Sequence, residues 1–304
     1  MTTGFGNVIH LESLTKFYGE TRALHDIDLT VRVGEVFGYL GPNGAGKTTT
    51  IRALFDFIRP TSGKATVLGL DSQADAREIR RRVDYLPGDI ALYDRMTGRE
   101  LLKFLANLRG GVDWNYVEQL AERFQSDLNP RIRTLSRGNK QKIGLIQAFM
   151  KRPELIIMDE PTAGLDPLMQ QEFYALVEEV KAEGRTIFIS SHIVPEVERI
   201  CDRVGIIREG ELATVEDVHA LKDRALHQFE FRFAQSVPPE VFANLPGVRD
   251  VVVEGTTLNC TVVGSPDAMV KAAANYEVVG LTSRETSLED VFLAFYDGDS
   301  PNAA

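Results

Sequence analysis

Short apolar runs alternate along this chain with longer segments whose apolar positions recur at helical spacing. Residues 8–14 and 27–33 alternate apolar and polar side chains, the period of a half-buried strand. Gly34 then turns the chain into a third apolar run, Val36-Phe37-Gly38-Tyr39-Leu40. Residues 49–57 contain neither Gly nor Pro and predict a helix. A strand follows over 64–68, bounded by Gly63 and Gly69, then a helix over 74–82 and a strand over 83–86 that stops at Pro87. Helical spacing returns over 98–124, broken at Gly110-Gly111, and again over 141–152. Leu155-Ile156-Ile157-Met158 is apolar throughout, as a strand covered on both faces must be. A helix over 167–183 carries Pro167 in its first turn and ends before Gly184. Ile187-Phe188-Ile189 repeats the buried-strand pattern, and residues 204–213 read as a hairpin around Glu209-Gly210. Strands alternating with helices predict an α/β fold with a mostly parallel sheet between helical layers.

The pattern changes after about residue 222. Strands are predicted over 228–233, 248–253, 258–263 and 278–283, with helices over 239–244 and 267–275. That order, β-α-β-β-α-β, is ferredoxin-like, and a last helix is predicted over 288–296. No catalytic constellation is visible in this region, and a fold alone implies no function.

The 304 residues and 43% hydrophobic content are enough for a substantial core and predict two domains. The formal net charge of −10 argues against a general nucleic-acid binder, though not against a local basic patch. The run Arg77, Arg80, Arg81, Arg82 reads as a solvated helix face. Cys201 and Cys260 are far apart in sequence and show no metal-like spacing, so reduced, buried thiols of a cytosolic protein are expected. The first residues lack the basic and apolar regions of a secretory leader, and no apolar run approaches the roughly 20 residues that span a bilayer. A membrane role is therefore expected to come through a partner chain.

The candidate chemistry begins at Gly41-Pro42-Asn43-Gly44-Ala45-Gly46-Lys47-Thr48, which reads G-x-x-x-x-G-K-[ST] between a predicted strand and a predicted helix. Glycines let such a loop curl its N–H groups inward toward phosphate oxygens, and the helix that follows turns its positive end to the same anion. Gly41, Asn43, Gly44, Ala45, Gly46, Lys47, Thr48 and Thr49 are the candidate cradle for the phosphates of a nucleotide. Lys47 is expected at the β- and γ-phosphates, and the Thr48 hydroxyl on Mg²⁺. The buried strand 155–158 runs into Asp159-Glu160. If it emerges at the same sheet edge as Lys47, Asp159 would hold Mg²⁺ and Glu160 would act as general base for the attacking water, or orient it.

Leu135-Ser136-Arg137-Gly138-Asn139-Lys140-Gln141 lies between these two elements, and with it the chain resembles the nucleotide-binding subunits of ATP-binding cassette (ABC) transporters. The segment is similar to that family's L-S-G-G-Q signature, with Ser136 and Gly138 matching and Arg137 and Asn139 departing. Ala163-Gly164-Leu165-Asp166 resembles the D-loop, and Ser190-Ser191-His192 the switch histidine that contacts the γ-phosphate. Tyr18, with Phe17 as the alternative, matches the aromatic that stacks on adenine. The Q-loop glutamine is missing: Tyr85-Leu86-Pro87 is followed by Gly88-Asp89, which leaves Asp89 or water as the outer metal ligand.

The resemblance implies a P-loop NTPase cassette over residues 5–220, with a RecA-like core, an antiparallel β subdomain and a helical subdomain over about 90–150. A small α+β accessory domain would follow over 225–298. It implies ATP hydrolysis by a head-to-tail dimer with a second copy or a related subunit. Lys47, Thr48, Asp159, Glu160 and His192 would act from one chain and Ser136 and Gly138 from the other, with Asp166, in the D-loop that touches the opposite subunit, a further nucleotide-binding residue. It further implies docking to a transmembrane permease at the cytoplasmic face of the cell membrane, with the region around 86–104 receiving the permease's short helices. Pro167 and Thr286-Ser287-Leu288-Glu289-Asp290-Val291-Phe292 look like drug- and antibiotic-type exporters whose ATPase and permease are separate chains. A soluble ABC ATPase of translation or DNA maintenance is the alternative. It is disfavoured by a single cassette, the absence of heptads and an acidic composition, and no nucleic acid is expected. A membrane-associated signalling ATPase without transport also stays open.

Overall fold

The strands that carry the chemistry lie in a sheet whose neighbours are set by burial. The computed structural model describes residues 6–108, 110–218, 220 and 226–285, and the chain divides into two units between Val215 and Glu216. In the first unit, β1 (Asn7–Tyr18) and β2 (Thr21–Arg32) pair antiparallel, and β4 (Ser62–Val67) and β5 (Leu70–Asp71) complete a four-stranded sheet in the order β2-β1-β4-β5. β1 extends beyond the predicted 8–14 because of a bulge. Leu11 pairs with Leu29 but Leu14 with Ile27, so the β1 side needs one extra residue there. Ser13 sits in it at φ 45°, and its amide donates to Asp28 Oδ1 at 2.8 Å. The bulge resets the alternation, and Leu14 stays buried although it is out of phase with Ile9 and Leu11.

The second sheet has six strands in the order β10-β9-β3-β8-β7-β6. Its strands are β3 (Val36–Leu40), β6 (Val83–Leu86), β7 (Leu155–Asp159), β8 (Thr186–Ser191), β9 (Arg203–Arg208) and β10 (Glu211–Asp217). The β6-β7-β8-β3-β9 pairings are parallel. Every residue of β3, β7 and β8 is buried, which explains why their sequences do not alternate. Phe37 and Tyr39 point toward a core shared with the antiparallel sheet and stack near Phe188, with ring centroids 5.8 and 5.5 Å away. Gly38 faces the other way. A Cβ there would come within 2.7 Å of Val197, so α7 (Val194–Ile200) packs directly on the strand.

Two helices depart most from the sequence expectation. α1 spans Lys47–Leu54 rather than 49–57. Asp56 adopts φ 52°, and the amides of Phe57 and Asp56 return to the carbonyls of Arg52 and Ala53 at 2.9 and 3.2 Å, which closes the helix. The helix expected over 141–152 is α5, Arg137–Phe149. It begins four residues earlier because Ser136 caps it by accepting from the Asn139 amide, although Gly138 and Asn139 are poor helix formers. α2 (Ala76–Arg82), α3 (Gly98–Leu108), α4 (Trp114–Arg123) and α6 (Pro167–Ala182) follow the predicted segments, and Gly110-Gly111 separate α3 from α4. In the arginine run, Arg80 donates to Phe55 O at 2.7 Å and Arg82 pairs with Glu154. Arg77, Arg80 and Arg81 are all exposed, and Arg82 is half-buried.

In the second unit, β11 (Leu226–Phe233), β12 (Val248–Glu254), β13 (Thr257–Val263) and β14 (Val278–Glu285) form an antiparallel sheet in the order β12-β13-β11-β14. Helices Glu240–Ala243 and Asp267–Ala273 complete the β-α-β-β-α-β order. Alternate β11 residues Phe229, Phe231 and Phe233 stack at 5.8 and 5.9 Å and form its core with Phe242, Leu258 and Met269. The helix predicted over 288–296 lies outside the described residues. Both cysteines are free and buried; burial pushes the Cys201 thiol far up and the Cys260 thiol to about 11. Among the described residues no helix is long and apolar enough to cross a membrane.

Candidate active site

The parallel register decides which polar groups meet. Ser190 lies opposite Tyr39 on one side and opposite Asp159 on the other, so the carboxyl ends of β3, β8 and β7 open into one cleft. The loop from Gly41 to Gly46 leaves β3 at this edge and enters α1 at Lys47. Gly46 stands at φ 111°, and a Cβ there would approach Ala23 O to 2.8 Å, so both conformation and space require glycine. Lys47 is only 5% exposed. Its ammonium donates to Gly41 O and to Pro42 O at 3.1 Å, and lies 3.3 Å from Glu160 Oε1.

Asp159, at the end of β7, is 3% exposed. Thr48 Oγ1 donates to its Oδ2 at 2.7 Å and Ser190 Oγ donates to its Oδ1. Glu160 leaves the strand at φ 50°, with its amide donating to Ser190 O at 3.0 Å. This turn brings its carboxylate over the loop. Oε2 meets His192 Nδ1 at 2.8 Å, and Oε1 is buried without a hydrogen-bond partner. His192 is held from behind. Ser191 Oγ accepts the Ile193 amide at 3.0 Å and donates to Glu196 Oε2 at 2.6 Å. Burial lifts the Glu196 carboxyl above its ordinary range. Burial, with the Asp159 charge adding to it, pushes the Tyr85 phenol up to about 12.

The cleft encloses about 520 Å³. Asn43, Gly44, Gly46, Lys47, Thr48, Thr49, Asp89, Asp159, Glu160 and His192 line it together. Gly41 and Ala45 are buried members of the loop and are not in the lining. Arg52, Tyr85 and Arg137 also line the cleft, although sequence reasoning assigned none of them to it. Tyr85 stood within the Tyr-x-Pro segment, which was a usable signal. Arg52, one turn into α1 from Thr48, could have been found from helical spacing.

Four expected residues stay apart from this cleft. Ser136 is exposed at the start of α5. Gly138 packs in that helix's first turn against Gly164, where a Cβ would come within 2.5 Å of the carbonyl. Asp166 caps α6, its Oδ1 accepting the Met169 amide at 3.0 Å. Tyr18 is 47% exposed at the end of β1, with the Lys16 ammonium 5.0 Å over its ring.

Asp159 and its hydroxyl neighbours offer only oxygen donors, the set a hard divalent cation takes. Among the described residues no three His, Cys, Asp or Glu side chains cluster closely enough to hold a metal alone. The residues thus fit a cation that takes its remaining oxygens from a bound phosphate. Gly88 backs onto Asp159, where a Cβ would lie 3.3 Å from its carbonyl, and offers no ligand.

The ABC transporter family profile matches residues 24–163. The chain is 34% identical to the bacitracin transport ATP-binding protein BcrA of Bacillus licheniformis, across 96% of this chain and 98% of that protein. It is 30% identical to the linearmycin resistance ATP-binding protein LnrL of Bacillus subtilis (strain 168), across 94% and 97%. Among solved structures, an ATP-binding subunit of an ABC transporter is 30% identical, with a TM-score of 0.66 over 71% of this chain and 92% of that one. The dimeric ADP- and Pi-bound cassette MJ0796 shares the fold at 21% identity, TM-score 0.64, over 69% of this chain and 98% of that one.

Proposed function

The chain belongs to the ABC transporter family as an ATP-binding, ATP-hydrolysing subunit, and on that premise we propose that it powers export of a drug- or antibiotic-like molecule through a separate membrane permease at the cytoplasmic face of the cell membrane. The observation that carries this reading is the convergence of Lys47, Thr48, Asp159, Glu160 and His192 on one cleft. Similarity along nearly the whole chain to proteins named for bacitracin transport and linearmycin resistance supports the exporter class.

The loop amides and the N-terminus of α1 would receive the β- and γ-phosphates. Lys47 would move its ammonium from the carbonyls of Gly41 and Pro42, and from beside Glu160, to the phosphate oxygens, where its hydrogen bonds are charge-assisted. Thr48 and Asp159 would hold Mg²⁺, which when bound neutralises the charge shared by those phosphates. Asp89, exposed at the cleft's rim, is the remaining carboxylate on the side where Gly88 replaces the glutamine. Glu160 would take a proton from the attacking water at a carboxylate oxygen, and His192 would hold that carboxylate by its imidazole and face the γ-phosphate. Catalysis of this kind is positioning and charge stabilisation.

Ser136 and Gly138 do not line their own chain's cleft, so we assign them to the nucleotide of a second copy, or a related subunit, docked head to tail. The exposed start of α5 is suited to it: a helix N-terminus attracts the terminal phosphate. Two such contacts make a closed, two-fold pair. Asp166, at the start of α6, would lie along that interface, and Tyr18 would stack on adenine.

Purification of the native complex tests the assignment. The expected result is a co-purifying polytopic membrane chain that stimulates ATP hydrolysis; recovery of ribosomes or DNA in its place would overturn it.

A further inference from the structure

The backbone of Glu160 is held where its sequence does not want to be. Left-handed φ is disfavoured for a residue with a Cβ, and a residue before proline is driven toward extended conformations. Glu160 precedes Pro161 and nevertheless stands at φ 50°. The turn is what brings its carboxylate to 3.3 Å from Lys47 and 2.8 Å from His192. Something must oppose relaxation. The Glu160 amide is tied to Ser190 O at 3.0 Å. Its carbonyl and the next are tied to one side chain from another element, the carboxamide of Gln141. Gln141 Nε2 donates to Pro161 O at 2.7 Å and reaches Glu160 O at 3.5 Å. Gln141 is 3% exposed and lies just past the first turn of α5, the helix that Ser136 caps.

We infer that Gln141 is a positioning residue for Glu160, and that through it the helix carrying Ser136 sets the aim of the carboxylate. The inference rests on the ATPase reading of the cleft and goes beyond it. A carboxamide can donate both protons to successive carbonyls, which Leu cannot do and Glu, as a carboxylate, would oppose. A movement of α5 when Ser136 meets a partner's nucleotide would pull on the Glu160–Pro161 peptide. Closure of the pair and alignment of the base would then be one event.

The test is steady-state hydrolysis by the full chain carrying Gln141→Leu or Gln141→Glu, with ATP affinity and melting temperature measured alongside. Each folded variant is expected to lose about tenfold in kcat, as a small misplacement of a reacting group does, with KM and ATP affinity within about twofold of the parent. Added to Glu160→Gln, either change is expected to lower the residual turnover by less than about twofold, because the group it positions is already gone. If Gln141→Leu does not fold, Gln141→Glu, which keeps the shape but replaces the donor by an acceptor, carries the test. Full kcat in a folded variant, even one that melts early, would assign a packing role and overturn the inference. So would a loss that multiplies with Glu160→Gln. Absence of hydrolysis in the parent would instead defeat the ATPase reading itself.

Discussion

The two units bury different things. The first unit buries, beside its apolar core, a cluster of charged and polar groups: Lys47, Asp159, Ser190, Ser191 and Glu196 are all buried around the ends of three parallel strands. The second buries an aromatic stack, Phe229, Phe231, Phe233 and Phe242, and places Gln228, Glu230 and Arg232 of the same strand in solvent. Buried polar groups must be paired or they cost stability. In the first unit they are paired mostly to one another, in an arrangement a phosphate and a cation would complete. The contrast sets a cluster of paired polar groups at a sheet edge against an aromatic core among the described residues of the second unit.

The comparison breaks most severely at Glu160. Glu160→Gln is expected to lower turnover by about two to four orders of magnitude with ATP binding intact; turnover near that of the parent would remove the residue from the chemistry. Lys47→Ala is expected to weaken ATP binding by at least about thirtyfold, the low end for truncating one member of a buried charge contact. Calorimetry showing unchanged affinity would count against the cradle.

In the second unit the matching perturbation is Phe231→Ala, at the centre of its stack. A loss of about 3–5 kcal/mol is expected, read as an earlier unfolding transition of that unit, while kcat and KM of the folded protein hold. A proportionate fall in kcat would show that the accessory unit takes part in hydrolysis. A smaller effect, about 1 kcal/mol, is expected for the stability of the first unit in Ser136→Ala, since Ser136 caps α5.

The finest distinction concerns Glu196. Its carboxyl is raised above the ordinary 4.5 by burial, so the stability it lends is full below that value and is lost as pH rises through the raised one. Glu196→Gln should therefore flatten the pH dependence of unfolding between that range and about pH 7. An unchanged profile would mean that the carboxyl is not desolvated in the folded protein.

The nucleotide loop was legible because its chemistry is local: eight consecutive residues, Gly41 to Thr48, between a strand and the first turn of a helix suffice. The buried strands β7 and β8 were legible because a strand covered on both faces is continuously apolar. The pattern failed where a distant contact decides. The bulge at Ser13 depends on Asp28, fifteen residues away. The start of α5 depends on a serine cap that outweighs Gly138 and Asn139. The turn at Glu160 runs against its proline neighbour and is held by Ser190 and Gln141 from other elements. Single-sequence periodicity carries none of these pairings.

The central claim is that ATP is clamped between complementary edges of two chains. It is tested most directly by sedimentation of Glu160→Gln with ATP, with ADP and without nucleotide. The account predicts a dimer with ATP alone, holding two nucleotides and lost when Ser136 is replaced by a bulky side chain. A particle that stays monomeric at every ATP concentration, with nucleotide bound, would contradict it.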